Sequence, residues 1–150
     1  KAQDYLQELS KVLRYSLQES DSHRVTLEEE MNFVRSYMYL LQMRFEENLV
    51  FEVEVAPEAL SKTLPPVSVQ LLVENAVKHN EISNRHPPHI RIRADKDSLS
   101  VSNPIQPKLT ASSGTHIGLS NLSKRYQLLF GREIEVKEEK NHFIVILPLI

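Results

Sequence analysis

The stretch QLLVENAVKHN, residues Gln70 to Asn80, carries two patterns at once. Val69, Leu72, Val73 and Ala76 recur at helical spacing and form a stripe that should face a core. Asn75, Lys78 and His79 fall at i, i+3 and i+4 on another side, with Glu74 at their edge. A merely solvated face would be served as well by Lys and Glu. An Asn side chain offers a neutral oxygen able to ligate Mg²⁺, which is commonly held by one or two protein oxygens, phosphates and water. Lys78 could meet phosphates as a point charge, and His79 could hydrogen-bond to them. Glu74 could orient a second-shell water or act as an acid/base group. Taken alone, the residue types fit an ordinary amphipathic face equally well.

Upstream, Pro65 and Pro66 suit the first turn of this helix. Before them LVFEVEVAP, 49 to 57, alternates apolar and acidic residues and reads as a half-buried strand. TLEEE reads as a capping box, with Thr26 as N-cap and Glu29 three residues on. The helix behind it, 27 to 45, carries Leu27, Met31, Val34, Met38 and Leu41 on one side. Residues 1 to 19 show a further stripe of Leu6, Leu9, Val12, Leu13 and Leu17.

Downstream, HIRIRAD and SLSVSN read as a strand pair, 89 to 94 and 98 to 103, turning at KD. The stretch from 104 to 117 is irregular and leads through SSGTHIGLSN, 112 to 121, into a helix over 119 to 130. Unpaired amides at that helix start favour an anion, and Gly114 and Gly118 let backbone approach it. A loop followed by a helix cap explains the same residues. Gly131 fits a C-terminal cap, and EIEVKEE and HFIVILPLI read as two closing strands. Lys124 and Arg125 read as an exposed basic face. The order predicts an α/β two-layer sandwich, helices on one face of a mixed, largely antiparallel sheet, with a helical arm in front.

Composition narrows the function classes. The chain has 150 residues, 41% hydrophobic and 25% charged, as expected of a globular domain. A net charge of -2 argues against a general nucleic-acid partner. Without cysteine there is no disulfide or thiolate metal site. The histidines show no HExxH spacing, and no Ser-His-Asp or Cys-His arrangement is visible. No apolar run reaches the ~18 residues of a membrane span. The opening KAQDYLQELS reads like the middle of a helix, so a longer protein with upstream membrane segments is expected.

Four stretches in order, LSKVLRYSL, VTLEEEMNFVRSYMYLLQMRF, LPPVSVQLLVENAVKHN and GLSNLSKRYQLLF, resemble the LytS-type sensor histidine kinases. Those belong to the GHKL superfamily of gyrase, heat-shock chaperone, histidine kinase and MutL ATPases. The resemblance covers essentially the whole chain, and PPxxxQxLVENAxKH is its most specific element. It implies a Bergerat-type ATP-binding fold. Residues 1–22 would be the second helix of a dimerisation hairpin and 23–150 the catalytic and ATP-binding domain. Asn75 would ligate Mg²⁺, Lys78 and His79 would lie on the phosphates, and Gly114 to Leu119 would be the glycine box closing a lid over 104–117.

The resemblance further implies phosphoryl transfer from ATP to a histidine upstream of Lys1, and on to a response regulator, of LytTR type by family habit. The amphipathic first helix predicts a homodimer through a helical bundle. This part would be cytoplasmic and the whole protein anchored in the bacterial inner membrane. Two departures stand out. Where the family has DxGxG, with an Asp on the adenine amino group, this chain has SNPIQ, so Ser102 or Asn103 stands near the Asp position. A neutral acceptor binds that amine more weakly than a carboxylate. The usual Gly-Thr before the last strand is absent from KNHFIVILPLI. An alternative is therefore a degenerate kinase domain acting as a dimeric scaffold with weak or absent nucleotide binding. A remoter one is another GHKL ATPase, such as a chaperone or topoisomerase fragment.

Overall fold

In the computed structural model the described residues are 24–46, 49–79, 89–104 and 115–150, with backbone alone at 78–79 and 115–117. The first 23 residues, Asn80 and Gly114 lie outside them, and so does the expected arm. The chain runs β1 (Val25–Thr26), α1 (Leu27–Phe45), β2 (Val50–Val55), a 3₁₀ turn (Pro57–Ala59), β3 (Thr63–Leu64) and α2 (Ser68–His79). It continues through β4 (His89–Ala94), β5 (Ser98–Pro104), α3 (Thr115–Phe130), β6 (Glu135–Glu139) and β7 (His142–Pro148).

The main sheet has the order β2-β4-β5-β7-β6, and only β2 and β4 run parallel. Alternation of period two sets which side of each strand is covered. Ile90, Ile92 and Ala94 of β4 are buried while His89, Arg91 and Arg93 are exposed. Leu99, Val101 and Asn103 of β5 are buried on the same face. That face packs against Leu27, Met31 and Val34 of α1, Val69, Leu72, Val73 and Ala76 of α2, and Leu122 and Tyr126 of α3. Each such fully buried aliphatic side chain stabilises the fold by about 1.5–3 kcal/mol. The uncovered face carries cross-strand ion pairs, Arg91–Glu52 at 3.0 Å and Arg93–Glu54 at 3.3 Å.

The α1 start follows the expected capping box, with the Glu29 amide donating to Thr26 Oγ1 at 3.2 Å. The Glu29 carboxylate is returned to the Thr26 hydroxyl, also at 3.2 Å. Two further α1 amides are satisfied by the connection before β3: Leu27 N donates to Lys62 O at 2.8 Å and Glu28 N to Leu60 O at 3.1 Å. β1 and β3 pair antiparallel in a small separate sheet, and Thr63 exchanges backbone bonds with Ile150. Such two-residue strands are too short to show a period in the sequence.

Several boundaries differ from expectation, β6 and β7 being Glu135–Glu139 and His142–Pro148 where longer strands were expected. α2 begins at Ser68, so Pro65 and Pro66 precede its first turn instead of lying in it. α3 begins at Thr115, four residues earlier than expected, so Gly118 sits within the helix and not in a loop before it. Thr115 and Ile117 are weak helix formers that blur the pattern there. The strand expected over 49 to 57 is β2 at 50–55, because Pro57 opens the 3₁₀ turn. Gly131 caps α3 at φ 62°, with its amide donating to Gln127 O at 3.0 Å. Lys140 and Asn141, at φ 48° and 64°, make the two-residue turn between β6 and β7.

Candidate functional site

α2 is the central helix of the layer and touches α1, α3 and β5. Its apolar stripe is buried as expected. Asn75 lies on the flank facing α3 and is only 6% exposed. Its Nδ2 has no hydrogen-bond partner among the described residues. A buried amide left unpaired costs about 1–3 kcal/mol, so such a position needs a reason; Gln70 Oε1 on the same helix is likewise unpaired among the described residues. Opposite it stands Gly118. A Cβ there would lie 3.9 Å from Asn75 Oδ1 and 3.3 Å from Leu71 Cδ1. The absent side chain lets α3 approach Leu71 and Asn75 of α2 this closely.

The chemistry of this pair suits Mg²⁺ with a nucleotide. Among the described residues no three His, Cys, Asp or Glu side chains cluster to hold a metal on their own. A neutral carboxamide oxygen matches an ion that keeps phosphates and water as its other ligands. Lys78 and His79 follow Asn75 on the same helix, one turn on, and complete α2. Leu119, next to Gly118, is partly buried against the core. Thus two of the expected site residues from distant stretches, Asn75 and Gly118, are brought into contact.

Glu74 turns toward α1. It lies close enough to the Tyr37 phenol to help push that group's pKa up to about 12, burial being the larger cause. Asn103 is 3% exposed on the core face of β5, while Ser102 faces the other way. Asn103 is therefore the member of the pair that looks toward the helices. Its Nδ2 donates to Pro104 O at 3.0 Å.

Arg125 differs from its expected place on an exposed face. It is half-buried, and its guanidinium donates to Pro66 O at 2.9 Å, tying α3 to the turn before α2; Lys124 is exposed. Glu30 had no expected role at all, yet it is fully buried. One carboxylate oxygen accepts from Val67 N at 3.0 Å, the other from Val69 N at 2.9 Å and Gln70 N at 3.4 Å. It caps α2 from a neighbouring helix, placing a carboxylate where the helix dipole favours one. A signal was present: Glu30 falls three residues after Leu27 and four before Val34, on the apolar stripe of α1. Val67, at the head of α2, offers no capping side chain of its own.

This architecture, with a helix-borne Asn beneath a second helix start, is the fold of histidine kinase catalytic domains. The cytoplasmic segment of histidine kinase QseC superposes with a TM-score of 0.62 at 14% identity, over 85% of this chain and 76% of that one. The catalytic domain of histidine kinase ThkA gives 0.56 at 20% identity, over 83% and 95%. The histidine kinase family model matches residues 1–49. Sensor histidine kinase/phosphatase LytS of Staphylococcus aureus strain MRSA252 is 31% identical over 156 aligned positions, 93% of this chain. Sequence and fold together make the chain similar, over nearly its whole length, to a segment of the LytS-type sensor histidine kinases. It spans 27% of the length of that LytS protein.

Proposed function

We propose that this chain is the catalytic and ATP-binding region of a two-component sensor histidine kinase. Residues 1–22 would form part of the dimerisation hairpin and 23–150 the catalytic domain. The γ-phosphoryl of ATP passes to a histidine of the hairpin and then to a response regulator, of the LytTR kind in this reading. The observation that carries the proposal is the buried Asn75 amide, its Nδ2 unpaired among the described residues, close to Gly118 at the head of α3.

Phosphoryl transfer needs positioning and charge neutralisation more than covalent help from protein. Asn75 supplies a neutral oxygen ligand, and the magnesium it holds would spread the charge that develops on the phosphates. Lys78 and His79 contribute a point charge and a hydrogen-bond donor. The unpaired amides at the head of α3, at the start of the Gly114–Leu119 stretch, donate to phosphate oxygens. Glu74, on the edge of the group, orients the incoming imidazole or a water. Asn103 accepts from the adenine amine. The dimer and the membrane anchorage of the whole protein belong to the same reading; among the described residues no helix is long and apolar enough to cross a membrane.

Asn103 also favours a second reading, a scaffold with weak nucleotide binding, because a neutral side chain stands at the adenine end. One experiment separates them: thermal melting of the chain with Mg-ATP. Ligand at 100 times its dissociation constant stabilises by about 2.7 kcal/mol. A kinase region shifts its melting temperature at millimolar Mg-ATP, and Asn75→Ala abolishes most of the shift. An unmoved melting curve sinks the kinase reading and leaves the scaffold.

A further inference from the structure

The turn that launches α2 is strained. Val67 sits at φ 69°, in the left-handed region that a β-branched residue rarely enters. Two side chains from other helices hold it there. Glu30 of α1 takes the Val67, Val69 and Gln70 amides, and Arg125 of α3 donates to the Pro66 carbonyl. Ser68 Oγ adds a local bond to Pro65 O at 2.6 Å. Both outside groups are thus fastened to one short turn, one from each neighbouring helix. A simple helix cap needs neither the strain nor the second clamp.

We infer that Glu30 and Arg125 are positioning residues for Asn75, fixing the rotation of α2 about its axis through the Val67 turn. The inference rests on the reading of Asn75 as the magnesium ligand. A side chain on a helix reaches about 5 Å from the axis, so a rotation of about 20° displaces its tip by about 1.7 Å. Mg²⁺ demands oxygens close to 2.1 Å away in near-octahedral array, so a shift of that size removes the ligand. Relaxation of Val67 to negative φ would re-aim the first turn of α2 and produce such a rotation. The clamp opposes it. Strain stored beside a site and held by surrounding structure is a recurring feature of functional positions.

The distinguishing readout is the ratio of nucleotide dissociation constants in EDTA and in Mg²⁺, measured with a fluorescent ATP analogue on the intact chain. A change that only destabilises the fold leaves this ratio unchanged in the folded population. Asn75→Ala should bring the ratio near one. Glu30→Gln, with a single acceptor oxygen, and Arg125→Met, with the stem but no donor, should each lower it about five-fold. Arg125→Lys, which keeps a donor, should recover part of the loss. Should Glu30→Gln fail to fold by circular dichroism, the half-buried Arg125 pair decides alone. Wild-type ratios in the folded clamp variants, with the ratio lost in Asn75→Ala, overturn the clamp and leave the magnesium reading standing. A wild-type ratio in Asn75→Ala overturns both.

Discussion

Gly118→Ala should separate stability from ligand binding. Gly118 is the fourth residue of α3, and alanine in a helix gains about 0.5–1 kcal/mol over glycine. Against that, the new methyl would stand 3.3 Å from Leu71 Cδ1. The obstructing atom is the far end of a flexible side chain and must retreat by a few tenths of an ångström. Driving a side chain about 30° from its rotamer costs about 0.5–1.5 kcal/mol. The two effects nearly cancel, so the ligand-free melting temperature should move by no more than about 2 °C in a chain of this size.

Binding should respond differently. The methyl would lie 3.9 Å from Asn75 Oδ1. An ion about 2.1 Å from that oxygen has its remaining ligands within about 4 Å of it, the space the methyl would enter. With a ten-fold weaker complex, a concentration equal to 100 wild-type dissociation constants stabilises by about 1.4 instead of about 2.7 kcal/mol. The Mg-ATP-induced rise in melting temperature should then be smaller by about 3–5 °C. Differential scanning fluorimetry with and without Mg-ATP measures both quantities in one plate. An unchanged ligand shift would refute the crowding of Asn75, and a ligand-free loss above about 5 °C would show that Leu71 cannot yield.

Gly131→Ala should lower the melting temperature by about 2–4 °C with nucleotide binding intact, because φ 62° is strained for alanine although nothing lies within 4 Å of the new methyl; equal melting points would refute the strain. Tyr126→Phe removes the bond from its buried hydroxyl to Pro148 O at 3.0 Å, and urea unfolding should show a loss of about 1–3 kcal/mol with unchanged slope. Tyr37, its pKa raised from 10.0 to about 12 by burial and then by Glu74, favours the folded state while protonated. That contribution is fully present below pH 10 and is lost as pH rises through about 12; Tyr37→Phe should flatten the fall in stability over that window, and a parallel curve would refute it.

Legibility followed the range of the forces. α1 was readable end to end because its stripe, its Thr26 cap and the loop before β2 all agree. The β4–β5 hairpin was readable because Lys96 and Asp97 interrupt two alternating runs. The parallel pairing of β2 with β4 was not expected, since no local signal encodes a partner 39 residues away. In retrospect Glu52 and Glu54 sit opposite Arg91 and Arg93 in register, so complementary charge carried a faint trace of it. At the site, Asn75 was legible as an odd polar choice on an anchored helix. Glu30 was hidden because a carboxylate among three glutamates looks solvated. Only the tertiary fold shows that it replaces the cap Val67 lacks.

Asn103 ties the remaining question to the same physics. On β5 it is buried, and its amide is satisfied by Pro104 O. A carboxylate in its place could not donate that bond, and it would stand desolvated beside a carbonyl oxygen, which raises the cost of its charge. In the proposed adenine site, Asn thus favours the fold at the expense of a charge-assisted bond to the base. At the proposed phosphate side the choice is the opposite, since Asn75 Nδ2 has no partner among the described residues. A pure scaffold would have no use for that cost. The two asparagines therefore argue for a site whose affinity comes chiefly from its phosphate end, with adenine held more loosely.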